Sequence, residues 1–412
     1  MNFNNNKNVD ADIKYDMLKR PQRVSAGIKL LTWCLSFPSF VLNKNKLKKK
    51  LSGLKPPYLL LCNHNSFFDF KVATKAIFPH SANYIVAIDG FIKRESLLRK
   101  TGCICKRKFT NDITTVKNII YSIKNLHQIA VMYPEARYSL CGTNAILPKS
   151  LGKLIKLLNV PVVTLICNGN HIKSPVWNVQ NRRNKTTANM NQVLTREEVK
   201  DFSTDKINDI INEAFVYDDY KWQKDNKVQI KDKDRAKGLH KVLYKCPHCL
   251  KEFEMDTNGV ILYCKNCNAK YEMTSLGALN ALNVESKFNH IPDWYEWQRE
   301  CVRQEIVAGN YCVSDKVNID SLPNSQGFVN VGAGELIHNK DGFELRFESG
   351  EELKKSVNSM YSCHIEYEYN NKGDCVDLST LEDTYYIYFQ NLKNVVTKIA
   401  LATEELFKLQ EE

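Results

Sequence analysis

Short apolar runs alternate with amphipathic stretches through the first half of this chain, and several runs end abruptly in polar residues. Tyr58, Leu59, Leu60, Leu61 and Cys62 form one run, broken by Asn63, His64, Asn65 and Ser66. Residues 130–133 and 160–167 are two more, ending in Pro134-Glu135 and in Asn168-Gly169-Asn170. Between them, Val116, Ile119, Ile120, Ile123 and Leu126 recur at helical spacing, as do Leu151, Leu154, Ile155 and Leu158. The pattern predicts strands over 58–62, 84–88, 130–133, 160–167 and 187–194, with helices over 70–78, 114–126, 149–158 and 204–215. Such alternation means a mostly parallel sheet covered by helices, so an α/β domain is expected over 56–220.

The second half has a different texture. Residues 221–241 are charged with little apolar periodicity and read as a linker. A helix is expected over 293–308, inside a connecting segment 276–310. Residues 311–412 show two-residue alternation in HIEYEY and YYIYF, turn signals at 339–342 and 370–374, and a closing amphipathic helix over 392–409. That order resembles, at the level of pattern, a pleckstrin-homology-type barrel.

Chemistry concentrates at the ends of the apolar runs, where ligands sit in open α/β sheets. His64 follows a strand, and Asp69 comes five residues later. On one regular helix, five steps would leave their side chains about 140° apart, so the chain must turn between them if they are to meet. Were they to meet, the carboxylate would fix one imidazole nitrogen and free the other as a base. Spacing alone also allows a solvated loop histidine beside an unrelated aspartate.

Together, NHNSFFD at 63–69, YPEARYS at 133–139 and VPVVTL at 160–165 resemble the blocks of the glycerolipid acyltransferase family typified by 1-acylglycerol-3-phosphate acyltransferase. The resemblance covers residues 27–220. It implies an acyltransferase domain in which His64 is the general base and Asp69 its partner, moving an acyl group from a thioester to a hydroxyl. The donor would be acyl-CoA or acyl-carrier protein, and the acceptor a lysophospholipid. In the family a second block places an arginine six residues after a glycine to grip the acceptor's phosphate. Here Lys108 holds that place relative to Gly102, and Arg107 lies one earlier. The third block usually reads F-P-E-G-T-R-S; here Glu135 matches, Arg137 falls one place early and Tyr138 takes the arginine's position. Arg107, Lys108, Glu135 and Arg137 are therefore the expected acceptor-binding residues.

Charge adds a partner. The formal net charge is +12, which suits an anionic membrane surface or nucleic acid. Residues 26–42 are apolar apart from Lys29 and a few small hydroxyls, but Lys29 and Pro38 argue against a clean span, and Lys44, Lys46, Lys48, Lys49, Lys50 and Lys55 follow. A polar tail over 1–25 and an interfacial helix with a basic cluster over 26–55 are expected, giving peripheral or monotopic attachment to the inner face of a membrane. The same stretch could instead pack as an amphipathic helix on the domain.

Four of the 14 cysteines have metal spacing: Cys246-Pro-His-Cys249 and Cys264-Lys-Asn-Cys267, flanking the hairpin signal Asn258-Gly259. A zinc ribbon over 242–275 with structural Zn2+ is expected. The other cysteines are scattered and no secretory leader is apparent, which points to a reducing, cytoplasmic compartment. A ribbon with a basic flank also raises a nucleic-acid-binding alternative. Aromatic and basic residues are not interleaved on the ribbon as a stacking platform requires, so nucleic acid is not the expected partner. An acceptor without phosphate is the other alternative.

Overall fold

The computed structural model describes residues 9–51, 53–178, 180 and 182–411, the side chains of 39–43 excepted. Residues 1–8 of the expected polar tail lie outside the described residues. The first half holds a seven-stranded mixed sheet with helices. Its elements begin with helix α1 (Ala26–Asn43), strand β1 (Lys46–Lys50), β2 (Leu59–Cys62), α2 (Phe68–Ile77) and β3 (Ala82–Ala87). They continue through α3 (Glu95–Lys100), β4 (Ile104–Lys106), α4 (Ile113–Lys124), β5 (Ile129–Met132), α5 (Ser150–Leu158) and β6 (Val162–Asn168). After α6 (Asn170–Lys173) and β7 (Thr187–Leu194) come α7 (Arg196–Asp201), α8 (Thr204–Ala214) and α9 (Asp219–Asp225).

Strand order is β1-β7-β6-β2-β5-β3-β4. Every pairing is parallel except β6 with β7. The three centre strands β6, β2 and β5 are fully apolar over most of their length because helices cover both faces, and Leu59, Leu60 and Leu61 have no exposed surface. Their carboxyl ends lie side by side, which brings the polar ends of three separated runs to one edge.

Three features differ from the sequence expectation. The basic cluster expected beside the interfacial helix includes a strand: Lys46 to Lys50 pair with β7 at the sheet's edge, where Lys46, Lys48, Lys49 and Lys50 are exposed and guard an open edge. Residues 90–112, whose many lysines and arginines read as a basic loop between elements, contain α3 and β4, so much of that charge sits on ordered elements. The supposed linker 221–241 is packed. Val228, Ile230, Ala236 and Leu239 are buried among its charged residues, the last three in the same core as the ribbon. Four scattered apolar residues are enough to anchor a segment, and they carry no period for pattern-reading to find.

The ribbon is a four-stranded antiparallel sheet, β8 (Met255–Asn258), β9 (Ile261–Cys264), β10 (Lys270–Met273) and β11 (Leu279–Ala281). Gly259, at φ +60°, makes the turn between β8 and β9. Helix α10 (Ile291–Val307) buries Trp294 against Tyr271 of this sheet. The last unit has seven antiparallel strands: β12 (Val313–Ser321), β13 (Val329–Asn339), β14 (Gly342–Phe347), β15 (Glu352–Ser356), β16 (His364–Glu366), β17 (Cys375–Ser379) and β18 (Thr384–Phe389). Their order is β15-β14-β13-β12-β18-β17-β16, and α11 (Val396–Glu411) follows. The units share cores: Leu322, Phe328, Tyr386 and Tyr388 of this β-rich region pack with Tyr15, Phe91 and Ile92 of the first half.

Candidate functional site

Asn63, directly after β2, extends the sheet with its side chain. Its amide donates to the Cys167 carbonyl at 2.9 Å and accepts from the Cys167 N–H at 2.8 Å, tying the end of β2 to β6. The next residue, His64, is thereby held at the strand's mouth. The chain then turns through Asn65 and Ser66, and α2 starts at Phe68, so Asp69 lies in the helix's first turn. A carboxylate there is favoured by the helix dipole. Asp69 is 1% exposed. Its Oδ2 accepts the backbone N–H groups of Asn65 at 2.6 Å and Ser66 at 2.8 Å, and its Oδ1 accepts the Asn170 amide at 2.6 Å. Three donors thus fix a buried anion, and Oδ2 also stands 3.4 Å from His64 Nδ1. The turn between the two residues, which a single helix could not supply, brings them together.

Around the imidazole, Tyr133 and Tyr138 pack at a tilt with ring centroids at 4.3 Å each. The His64 N–H donates to Glu135 Oε2 at 3.1 Å, and its carbonyl accepts from the Ser139 N–H at 2.8 Å. Glu135 is fully buried and also takes the Tyr217 hydroxyl at 3.3 Å. Burial outweighs these donors and pushes its carboxyl up to about 8. Glu135 therefore braces the histidine loop from behind; it does not line the cavity described next. The sequence expectation of an acceptor contact for Glu135 gives way to this positioning role.

His64 lines a cavity of about 1040 Å³. Ile113, Val116 and Ile119 of α4, Leu151, Leu154 and Leu157 of α5, and Met132 supply an apolar wall. Asp89, Lys106, Lys108, His364 and Glu366 supply a polar one, partly from the β-rich C-terminal region. No protein-family model matches the sequence, and no curated protein matches it either. Among solved structures, the fold is similar to the 1-acyl-sn-glycerophosphate (LPA) acyltransferase PlsC from Thermotoga maritima, at 13% identity and a TM-score of 0.39, over 45% of this chain and 76% of that one. The likeness is distant and partial.

The two arginines expected at the acceptor are otherwise engaged. Arg107 is 1% exposed and outside the cavity wall. Its Nη1 donates to the Leu322 carbonyl and Thr384 Oγ1, both at 2.9 Å, and its Nη2 to the carbonyls of Pro323 at 2.8 Å and Glu382 at 2.7 Å. It is a staple to the C-terminal region, not a phosphate ligand. Arg137 does border the cavity, but its Nη2 is bound to Glu404 of α11 at 2.7 Å. Burial opposes ionisation of Glu404, yet Arg137 and Arg299 hold its carboxyl down at about 2. Lys108 reaches the cavity and is already ringed: Asp89 at 3.0 Å, the His364 ring at 3.1 Å and Asp377 at 3.5 Å. Both arginines sit beside basic or turn-forming residues that look solvated in sequence; the partners that claim them lie more than 200 positions away.

Sequence reasoning missed Asp89, His364 and Glu366. Asp89 follows strand β3 and was open to the same strand-end logic that singled out His64. His364 and Glu366 lie in an alternating strand that carries no local sign of a cavity.

In the ribbon, Cys246 Sγ stands 3.7 Å from Cys267 Sγ, and Cys249 Sγ 3.7 Å from Cys264 Sγ. All four ligand atoms lie within 4.8 Å of one another, so they can share one metal ion.

Proposed function

We propose that this chain is an O-acyltransferase that moves an acyl group from a thioester donor to the hydroxyl of a lysophospholipid. The observation that carries this is the His64–Asp69 pair at the wall of a cavity with a long apolar side. Asp69 accepts Nδ1–H and so sets the tautomer, leaving Nε2 as the base. His64 takes the proton from the acceptor hydroxyl as its oxygen attacks the thioester carbonyl. The carbon–sulfur bond then breaks, and the imidazolium returns the proton to the leaving thiolate. Asp69, buried and fully hydrogen-bonded, stabilises the imidazolium between these steps. No enzyme nucleophile is needed. The apolar wall from α4 and α5 suits the acyl chain, and a volume at the upper end of the roughly 300–1,000 Å³ of small-molecule sites leaves room for two substrates in part.

Helix α1 suits the membrane as the source of the acceptor. Among the described residues no helix is long and apolar enough to cross a membrane. Trp33 and Phe37 meet Phe78 of the domain edge to face, while Leu30, Leu31 and Leu35 are 59%, 49% and 68% exposed. Such an uncovered row next to the lysines of β1 fits interfacial attachment to anionic lipid. For the ribbon we propose zinc: four thiolates at Zn–S distances of about 2.3 Å place sulfurs about 3.8 Å apart in a tetrahedron, close to the 3.7 Å seen for two pairs.

Mass spectrometry of products formed by the purified chain from a panel of lysophospholipids, with acyl-CoA or acyl-carrier protein as donor, tests the reading. An acylated lysolipid is expected. If every lysolipid is recovered unchanged with both donors, the reading fails.

A further inference from the structure

The acceptor's headgroup is narrowed by the cavity's polar wall, an argument that rests on the acyltransferase reading above. A phosphomonoester needs uncommitted cations. Arg107 is committed to three backbone carbonyls and a hydroxyl, and Arg137 to Glu404. Of the lysines beside the polar wall, Lys106 is bound to the Thr110 carbonyl at 2.9 Å, and Asp89, Asp377 and His364 already surround Lys108. Glu366 adds a third carboxylate, with its Oε1 3.6 Å from His364 Nε2. His364 Nδ1 is bound in turn to Asp377 Oδ2 at 2.7 Å. In the cluster around Lys108 and His364, three carboxylates therefore answer one ammonium. Asp377 Oδ1 is buried with no hydrogen-bond donor, so the cluster is short of donors even within the protein. Asp89 and Glu366 keep 20% and 18% of their side chains accessible at the cavity wall. The cluster also shares its cavity with the proposed base: Tyr138, packed at a tilt against His64, lines the same wall space as Glu366 and Asp89.

We infer that His364 and Glu366 of the C-terminal β-rich region, together with Asp89, read the acceptor headgroup and select one that carries an ammonium group over a bare phosphate. An ammonium brings the donors and the positive charge that this cluster is short of, whereas a doubly charged phosphate would meet its carboxylates. The singly charged phosphodiester of a zwitterionic lysolipid asks less of the cavity's cations than a doubly charged phosphomonoester does. The C-terminal region thereby becomes part of the substrate site.

Isothermal calorimetry and turnover assays on the full chain, with lysophosphatidylethanolamine and lysophosphatidate of one acyl length, decide the point. The ethanolamine lipid is expected to bind and react about tenfold better, and Glu366→Gln to narrow that ratio while leaving the thermal midpoint in place. Asp89→Asn provides a second variant if Glu366→Gln does not fold. Equal or tighter binding of lysophosphatidate by the wild type overturns the inference while leaving acyl transfer intact. If neither lipid is acylated, acyl transfer falls, and the calorimetric order of the two lipids still upholds or overturns the inference.

Discussion

Replacing Arg107 with methionine separates two roles for one residue. The side chain donates four hydrogen bonds, all to neutral acceptors in the C-terminal region, and is 1% exposed. Methionine keeps the stem's packing and removes the donors. Pro323 would retain the Tyr15 N–H at 3.1 Å, and Thr384 Oγ1 its contact with Ser379 Oγ at 3.0 Å. The Leu322 and Glu382 carbonyls lose the guanidinium altogether. At about 1–3 kcal/mol for each buried acceptor left unpaired, less the relief of no longer burying a cation, the expected loss is about 3 kcal/mol. That is roughly a hundredfold in the folding equilibrium. Urea unfolding followed by tryptophan fluorescence should show a lower midpoint at unchanged slope. Arg107→Lys should recover little, because a single ammonium cannot span four acceptors. A stability change below about 0.5 kcal/mol, the range of ordinary surface substitutions, joined to a higher KM for phosphate-bearing acceptors, would return Arg107 to the cavity and refute the staple.

Further outcomes follow from the same geometry. Glu135 stays protonated in the folded chain up to about pH 8, against an ordinary 4.5, so the folded state holds the extra proton between those values and stability falls as pH rises through them. Glu135→Gln, which cannot ionise, should therefore gain on the wild type in thermal midpoint between about pH 4.5 and 8; a constant difference across that window would contradict the assignment. For the ribbon, elemental analysis should find one zinc per chain, and a chelator should lower the thermal midpoint, since Cys246 and Cys264 are buried in the shared core; purified chain without bound metal would disprove the site. Introducing glutamate at Leu31 and Leu35 should cut co-sedimentation with anionic vesicles by at least about tenfold, from roughly 1.5–3 kcal/mol per leucine no longer inserted; unchanged binding would place the membrane contact elsewhere.

Much of the architecture is legible locally. The strands ending at Cys62, Met132 and Asn168 are announced by apolar runs that stop at polar residues, because buried strands must be apolar and their mouths need not be. The four cysteines are equally plain, since a tetrahedral sulfur site demands close pairs. Pattern fails where a residue's partner is remote. Arg107, Lys108 and Arg137 look alike in sequence, and only the packing of β12, β16, β18 and α11 distinguishes staple from cavity wall. The same holds for 221–241, whose charge suggests a loose chain although its few apolar residues are pinned in the core. Asp69 shows the opposite case: five-residue spacing argued against contact on a helix, and the turn at Asn65 and Ser66 supplied it.

The proposed chemistry stands on His64. Steady-state acyl transfer by wild type and His64→Ala, with circular dichroism to show that both are folded, measures its contribution directly. Loss of general-base catalysis should lower kcat by about 10²–10⁴-fold with little change in acceptor KM. A folded His64→Ala variant that transfers acyl groups at the wild-type rate would contradict it.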